Sequence, residues 1–172
     1  PHIYPSAIKN YAGDRNNSIA FKVKELLESH SYRKIVNKLP STNISFLDIG
    51  CADGTLMDIF KNNFRSITRI EGLDISEDAT RIVSKKGYRA HIGTVEAIKL
   101  PKNSYDLIIM QQVIEHLHDP IKAIKNIHKI LKKNGILIIE TPLPYSIDNF
   151  IFKGFWEGYH IPRHFNLWTK DN

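Results

Sequence analysis

The sequence predicts an α/β fold, with a doubly wound, mainly parallel sheet in three α/β/α layers. Three observations carry that prediction. Short apolar runs alternate with amphipathic helical stretches between about residues 44 and 142. The run Tyr105 to Met110 is continuously apolar after Asp106, as a strand buried on both faces must be. Gly50 and Gly54 bracket a tight turn between the first apolar run and the helix after it, which lets backbone approach a small ligand.

The elements follow in order. Residues 1–17 are polar and turn-rich, and residues 18–38 carry a helical pattern in Ile19, Val23, Leu26 and Leu27. Pro40-Ser41-Thr42-Asn43 is a loop. Strand one covers about 44–49, a helix about 53–63, and strand two about 68–73. Ser76 caps a helix of about 77–86, with Glu77 and Asp78 placed to match its dipole and Gly87 to stop it. Strand three covers about 88–92 and strand four 105–110. Asp119-Pro120 is an N-cap with proline at the first helical position, and that helix runs to about 133. Asn134-Gly135 ends it, and strand five is Ile136 to Glu140. The expected organisation is a helical cap over 1–43, a ligand-binding core over 44–142 and a lid segment over 143–172.

Composition narrows the function. At 172 residues and 42% hydrophobic, the chain is one domain with a real core. No apolar run approaches the roughly 20 residues of a membrane span, and no signal peptide is visible. The single Cys51 cannot form an internal disulfide, which fits a reducing, cytoplasmic setting. Net charge is +6, but Lys122, Lys125, Lys129, Lys132 and Lys133 lie opposite Ile121, Ile124, Ile127 and Leu131 on one helix. They read as a solvated face, and nucleic acid is not the expected partner. The chain opens at Pro1 without Met and stops at Asn172 just after Thr169-Lys170-Asp171, so both ends read as clipped.

In such a fold, ligands bind where the strands end. The glycine turn reads G-x-x-x-G; Ala52 breaks the dinucleotide fingerprint, and no Gly-Lys-Ser/Thr follows for a P-loop. A carboxylate at the strand end, Asp48, suits a cationic group such as an ammonium, or fixes the loop backbone. Asp74 ends strand two, where an acid can accept hydrogen bonds from a ribose diol or simply cap a turn. Glu96 lies where an adenine could sit, or starts a helix. Gln111-Gln112-Val113-Ile114-Glu115-His116 is a dense polar set after strand four. Glu115, His116, His118 and Asp119 have metal-ligand chemistry without a standard zinc spacing, so no metal is expected.

These residues resemble the class I S-adenosylmethionine-dependent methyltransferases, whose fold is Rossmann-like. More narrowly they resemble the small-molecule branch that includes ubiquinone-biosynthesis O-methyltransferases and sugar and natural-product methyltransferases. The matching pieces are Leu47 to Gly54, Gly72 to Ser76, Tyr105 to Ile108, Val113 to Leu117, Asp119-Pro120 and Leu131 to Gly135. Pro162-Arg163-His164-Phe165 and Leu167-Trp168-Thr169 resemble a later segment of the same branch. If so, the family's sixth and seventh strands would lie beyond Asn172. Two positions depart: Ala52 stands where the family has a glycine, and Thr94 where it often has an acid.

The resemblance implies S-adenosylmethionine as cofactor and methyl transfer to a small-molecule acceptor. It implies that Asp48 and the backbone of Gly50, Cys51, Ala52 and Gly54 hold the methionine end. Asp74 would take the ribose, Ile75 would pack on adenine, and Thr94, Val95 and Glu96 would edge it. Gln111, Gln112 and Val113 would line the floor. An oxygen acceptor needs its proton removed, and His116, His160 and His164 are the candidates. His160 and His164 belong to an aromatic, basic segment that either roofs an acceptor pocket or packs as lid core, and Pro162 argues against a helical metal pair. Tyr11 and Arg15 are further candidates for closing over the cofactor. The alternatives are an RNA or protein methyltransferase, lacking here an Asn/Asp-Pro-Pro-Tyr after strand four, and a non-catalytic cofactor-binding domain.

Overall fold

The computed structural model describes residues 19–144, together with Phe150, Phe165, Asn166, Trp168 and Thr169. Helix α1 is Ile19–Val36, β1 Ile44–Ile49, α2 Thr55–Asn63, β2 Ile67–Asp74 and α3 Glu77–Lys85. Then come β3 Arg89–Ile92, β4 Tyr105–Gln111, a 3-10 turn Ile114–His116, α4 Pro120–Ile130 and β5 Leu131–Glu140. The strands lie in the order β3-β2-β1-β4-β5, and each neighbouring pair is parallel. The strand order reverses between β1 and β4, so their carboxyl ends open side by side at the place where such sheets bind ligands.

The central strands are apolar because both faces are covered. Phe46, Ile44, Leu107 and Ile109 turn to one face, where Tyr32 and Val36 of α1 and Leu56 and Phe60 of α2 meet them. Phe60 stands between Tyr32 and Phe46, with ring centroids 5.1 and 4.4 Å away. Leu47, Ile49, Ile108 and Met110 turn to the other face, against Ala123, Ile127 and Ile130 of α4. Each fully buried Phe, Leu, Ile or Met among them contributes about 1.5–3 kcal/mol. Helix α3 joins the first face through Val83, packed with Cys51 and Met57. The predicted caps form: the Ser76 hydroxyl accepts from Ala79 N–H at 3.3 Å, and Asp119 accepts from Lys122 N–H at 2.9 Å.

Two local expectations are corrected. Helix α4 stops at Ile130 rather than near 133, because Leu131 turns extended (φ −72°, ψ 137°) and pairs with Tyr105. The next pair is Leu107–Ile136, so the polar Lys132 to Gly135 stretch forms a bulge, with Lys132 Nζ on Asp106 at 2.7 Å. The second correction concerns α1. Ile19, Val23, Leu26 and Leu27 are exposed (83, 50, 68 and 64%), while Ser29, Tyr32 and Val36 are buried. The second half of the helix packs on Phe60 and the sheet, and that contact sets which face turns inward.

One charged cluster is built into the sheet. Glu71 is 3% exposed, accepts a hydrogen bond from Tyr105 Oη at 2.8 Å and pairs with His91 Nε2 at 2.7 Å. Arg69 and Arg89 approach it at 3.8 and 3.9 Å. Burial acts to raise its pKa, but the hydrogen bonds from His91 and Tyr105 and the charges of His91 and Arg69 outweigh burial and hold the carboxyl below the usual glutamate range.

Candidate functional site

The turn after β1 is tied to β2 by its own backbone. Gly50 and Cys51 N–H both donate to the Leu73 carbonyl, at 2.7 and 3.2 Å, and Gly54 N–H closes back on the Cys51 carbonyl at 2.7 Å. Gly50, Ala52 and Gly54 all have positive φ (79°, 45° and 77°). A Cβ on Gly50 would lie 2.4 Å from Val113 Cγ2, so only glycine fits there. Ala52 occupies the left-handed region without that freedom, and its N–H is held by Asp74 Oδ2 at 3.0 Å. The other Asp74 oxygen accepts from Ser76 N–H at 2.8 Å. Asp74 thus braces the turn with one oxygen and opens α3 with the other. A carboxylate has about four acceptor positions, so two remain for a ligand diol.

Asp48 is 3% exposed, directly before the turn. Among the described residues no donor reaches its carboxylate. Burial first, and then the charges of Asp74, Asp53 and Glu28, push its carboxyl up to about 8. A buried acid surrounded by acids is poised for a cation, which would restore the ionised form. Cys51 turns inward on Met57 and Val83, and burial with the Asp48 and Asp74 charges pushes its thiol up. It therefore offers the site only its backbone.

Residues 16–172 match the profile of a family described as a methyltransferase domain. The chain belongs to this methyltransferase domain family. Among its curated relatives is a ubiquinone biosynthesis O-methyltransferase of Pelagibacter ubique, 30% identical over 118 residues, covering 66% of this chain and 48% of the relative. Another of that name, from Rickettsia canadensis, is 30% identical over 115 residues, 62% of this chain and 48% of the relative. The chain thus spans about half the length of the curated relatives it matches. A solved S-adenosylmethionine-dependent methyltransferase from Archaeoglobus fulgidus shares the fold, with a TM-score of 0.66, 21% identity and coverage of 86% of this chain and 64% of that one. The cofactor of the family is S-adenosylmethionine. The residues present fit it: a cradle that a Cβ would fill at Gly50, and at Asp48 a buried acid with no hydrogen-bond donor among the described residues.

The other predicted residues of the methyltransferase domain divide by location. Ile75 is 54% exposed beside Asp74, open to stack on a ring. Val95 is buried in the core beneath, and its carbonyl accepts from Asn126 Nδ2 at 3.2 Å, which leaves only its N–H for the edge. The Thr94 carbonyl accepts from Ala97 and Ile98 N–H, at 3.1 and 2.9 Å. Glu96 Oε2 is buried without a partner among the described residues. Val113 closes on Gly50, while Gln112 is exposed at φ 52° and donates its N–H to the Glu140 carbonyl at 2.8 Å. Glu115 holds the loop: its side chain accepts from Thr141 Oγ1 at 3.2 Å, and its carbonyl accepts from Phe165 and Asn166 N–H at 2.8 and 3.2 Å. His116 lies in the 3-10 turn. His160, His164, Tyr11 and Arg15 lie outside the described residues.

Three residues at this edge escaped the sequence reading: Glu28, Tyr32 and Glu140. Tyr32 Oη donates to Glu140 Oε1 at 2.5 Å, and Gln111 Nε2 donates to Tyr32 Oη and Glu140 Oε2 at 2.8 and 2.9 Å. Burial, then the Glu140 hydrogen bond, pushes the Tyr32 hydroxyl up, so it stays protonated. The one available signal was Glu140, an acid closing an apolar strand at the same edge as Asp48.

Proposed function

We propose that the chain is the cofactor-binding part of an S-adenosylmethionine-dependent methyltransferase acting on a small molecule, at an oxygen or nitrogen nucleophile of a sugar, quinol, lipid or natural product. The observation that carries the reading is Asp48, buried and without a hydrogen-bond partner among the described residues, beneath the Gly50 turn at the point where strand order reverses. The bound cofactor supplies an electrophilic methyl on a sulfonium. Asp48 and the Gly50–Gly54 backbone grip the methionine end. Asp74 accepts from the ribose hydroxyls, and Ile75 stacks on the adenine with Thr94 and Glu96 at its edge. Gln111, Gln112 and Val113 floor the site and exclude water. Residues 1–43 form the cap and 143–172 the acceptor side, and His116, His160 and His164 are the candidates to take an acceptor proton. The names of the ubiquinone relatives support a small-molecule acceptor.

Cofactor and acceptor are tested separately. S-Adenosylmethionine should raise the melting temperature, and Asp74→Ala should abolish that rise in a folded protein. An unchanged wild-type melting temperature would sink the cofactor reading. The acceptor is found by screening sugars, quinols and lipids for formation of S-adenosylhomocysteine. Turnover of RNA or protein alone would replace the small-molecule reading.

A further inference from the structure

We infer that Tyr32 and Glu140 are positioning residues that lock the Gln111 amide with its carbonyl oxygen as the acceptor for the ammonium of the cofactor's methionine end. The inference rests on the reading that Asp48 and the Gly50 turn hold that end.

The argument is one of donors and acceptors. A carboxylate only accepts, so Glu140 Oε2, at 2.9 Å, fixes the amide nitrogen of Gln111 towards itself. The single proton of Tyr32 Oη goes to Glu140 Oε1 at 2.5 Å, so towards Gln111 the hydroxyl must accept, at 2.8 Å. Both N–H bonds of Gln111 are then spent in a closed ring of three side chains. Its Oε1 is left over, and among the described residues nothing donates to it.

The backbone places that oxygen's residue at the turn. Gln111 follows Met110, the partner of Ile49, so it stands beside Gly50 in the neighbouring strand. Asp48 and Gln111 share a sheet face, because both alternate with residues turned towards α4: Leu47 and Ile49 on one strand, Ile108 and Met110 on the other. An ammonium has three donors, and Asp48 and Gln111 supply two acceptors of the required kind. Glutamine without the ring would flip freely and present a repelling N–H as often as a carbonyl.

The test compares two ligands by calorimetry: S-adenosylhomocysteine, which carries the ammonium, and 5′-methylthioadenosine, which lacks it. Glu140→Gln lets the Gln111 amide flip and should weaken S-adenosylhomocysteine about ten-fold, a hydrogen bond to a charged group, while leaving methylthioadenosine within about two-fold. Tyr32→Phe should act in the same direction, about three-fold. The exchange Gln111→Glu with Glu140→Gln keeps the net charge, restores an acceptor-only group beside Gly50 and should recover most of the lost affinity. Equal weakening of both ligands, or no weakening, overturns the inference. So does an exchange variant that melts like wild type without regaining affinity. Wild-type protein that binds neither ligand would instead overturn the cofactor reading beneath it.

Discussion

Asp48→Asn should make the unliganded protein more stable while disabling it. The carboxyl has an ordinary value of 3.8 and is pushed up to about 8 in the fold, by burial first and then by Asp74, Asp53 and Glu28. For an acid raised in the folded state, the unfolded chain gives up its proton first. Stability is therefore fully present below the unfolded value and is lost as pH rises through the folded one. Each pH unit inside that window costs about 1.4 kcal/mol, so wild type should lose at most about 4 kcal/mol against the asparagine variant between pH 5 and pH 8. Relaxation and water entry around the buried charge reduce this to about 2 kcal/mol. In a domain of this size that moves the melting temperature by about 4–8 °C. Thermal melts of both proteins at several pH values, without cofactor, provide the assay. The variant should melt higher at pH 8, with the gap closing towards pH 5. A gap that does not change with pH, or a variant that melts lower throughout, would refute the reasoning. The same variant should lose the rise in melting temperature caused by S-adenosylmethionine.

Other outcomes follow from the same geometry. S-Adenosylhomocysteine binding near neutral pH should release protons, because an ammonium ionises Asp48; calorimetry in buffers of different ionisation enthalpy reads this directly. Gly50→Ala should cost about 1–3 kcal/mol in denaturant unfolding, from the Val113 contact and the positive φ, and Val113→Ala should recover only the contact part. Glu71→Gln should destabilise by about 2–3 kcal/mol at pH 7, since it leaves His91 and Arg69 without their carboxylate. Glu71 is held below its ordinary pKa, so this stability is present above the unfolded value and is lost as pH falls through the folded one. The wild-type advantage should therefore shrink in acid urea titrations.

Most of the sheet was legible because its signals are local. Ser76 and Asp119 announce helices by side-chain chemistry that acts within three residues. The Leu107–Met110 run declares a strand covered on both faces. The glycine turn and Asp74 were legible for the same reason, since a left-handed backbone at Gly50 and Gly54 demands that residue type. The α4 boundary is not a local signal: Leu131 leaves the helix to pair with Tyr105, a residue elsewhere in the chain.

What the sequence alone determined is the strand–turn–helix unit around Asp48 and Gly50, its partner acid Asp74 and the parallel order of elements, because each rests on neighbours along the chain. What only the tertiary structure decided is which face of α1 turns inward, and with it the ring of Tyr32, Gln111 and Glu140. Those three come from α1, β4 and β5 and meet only after the helix has packed across the sheet. Orientation of an amide depends on donors and acceptors around it, and no local pattern records which residues will arrive there.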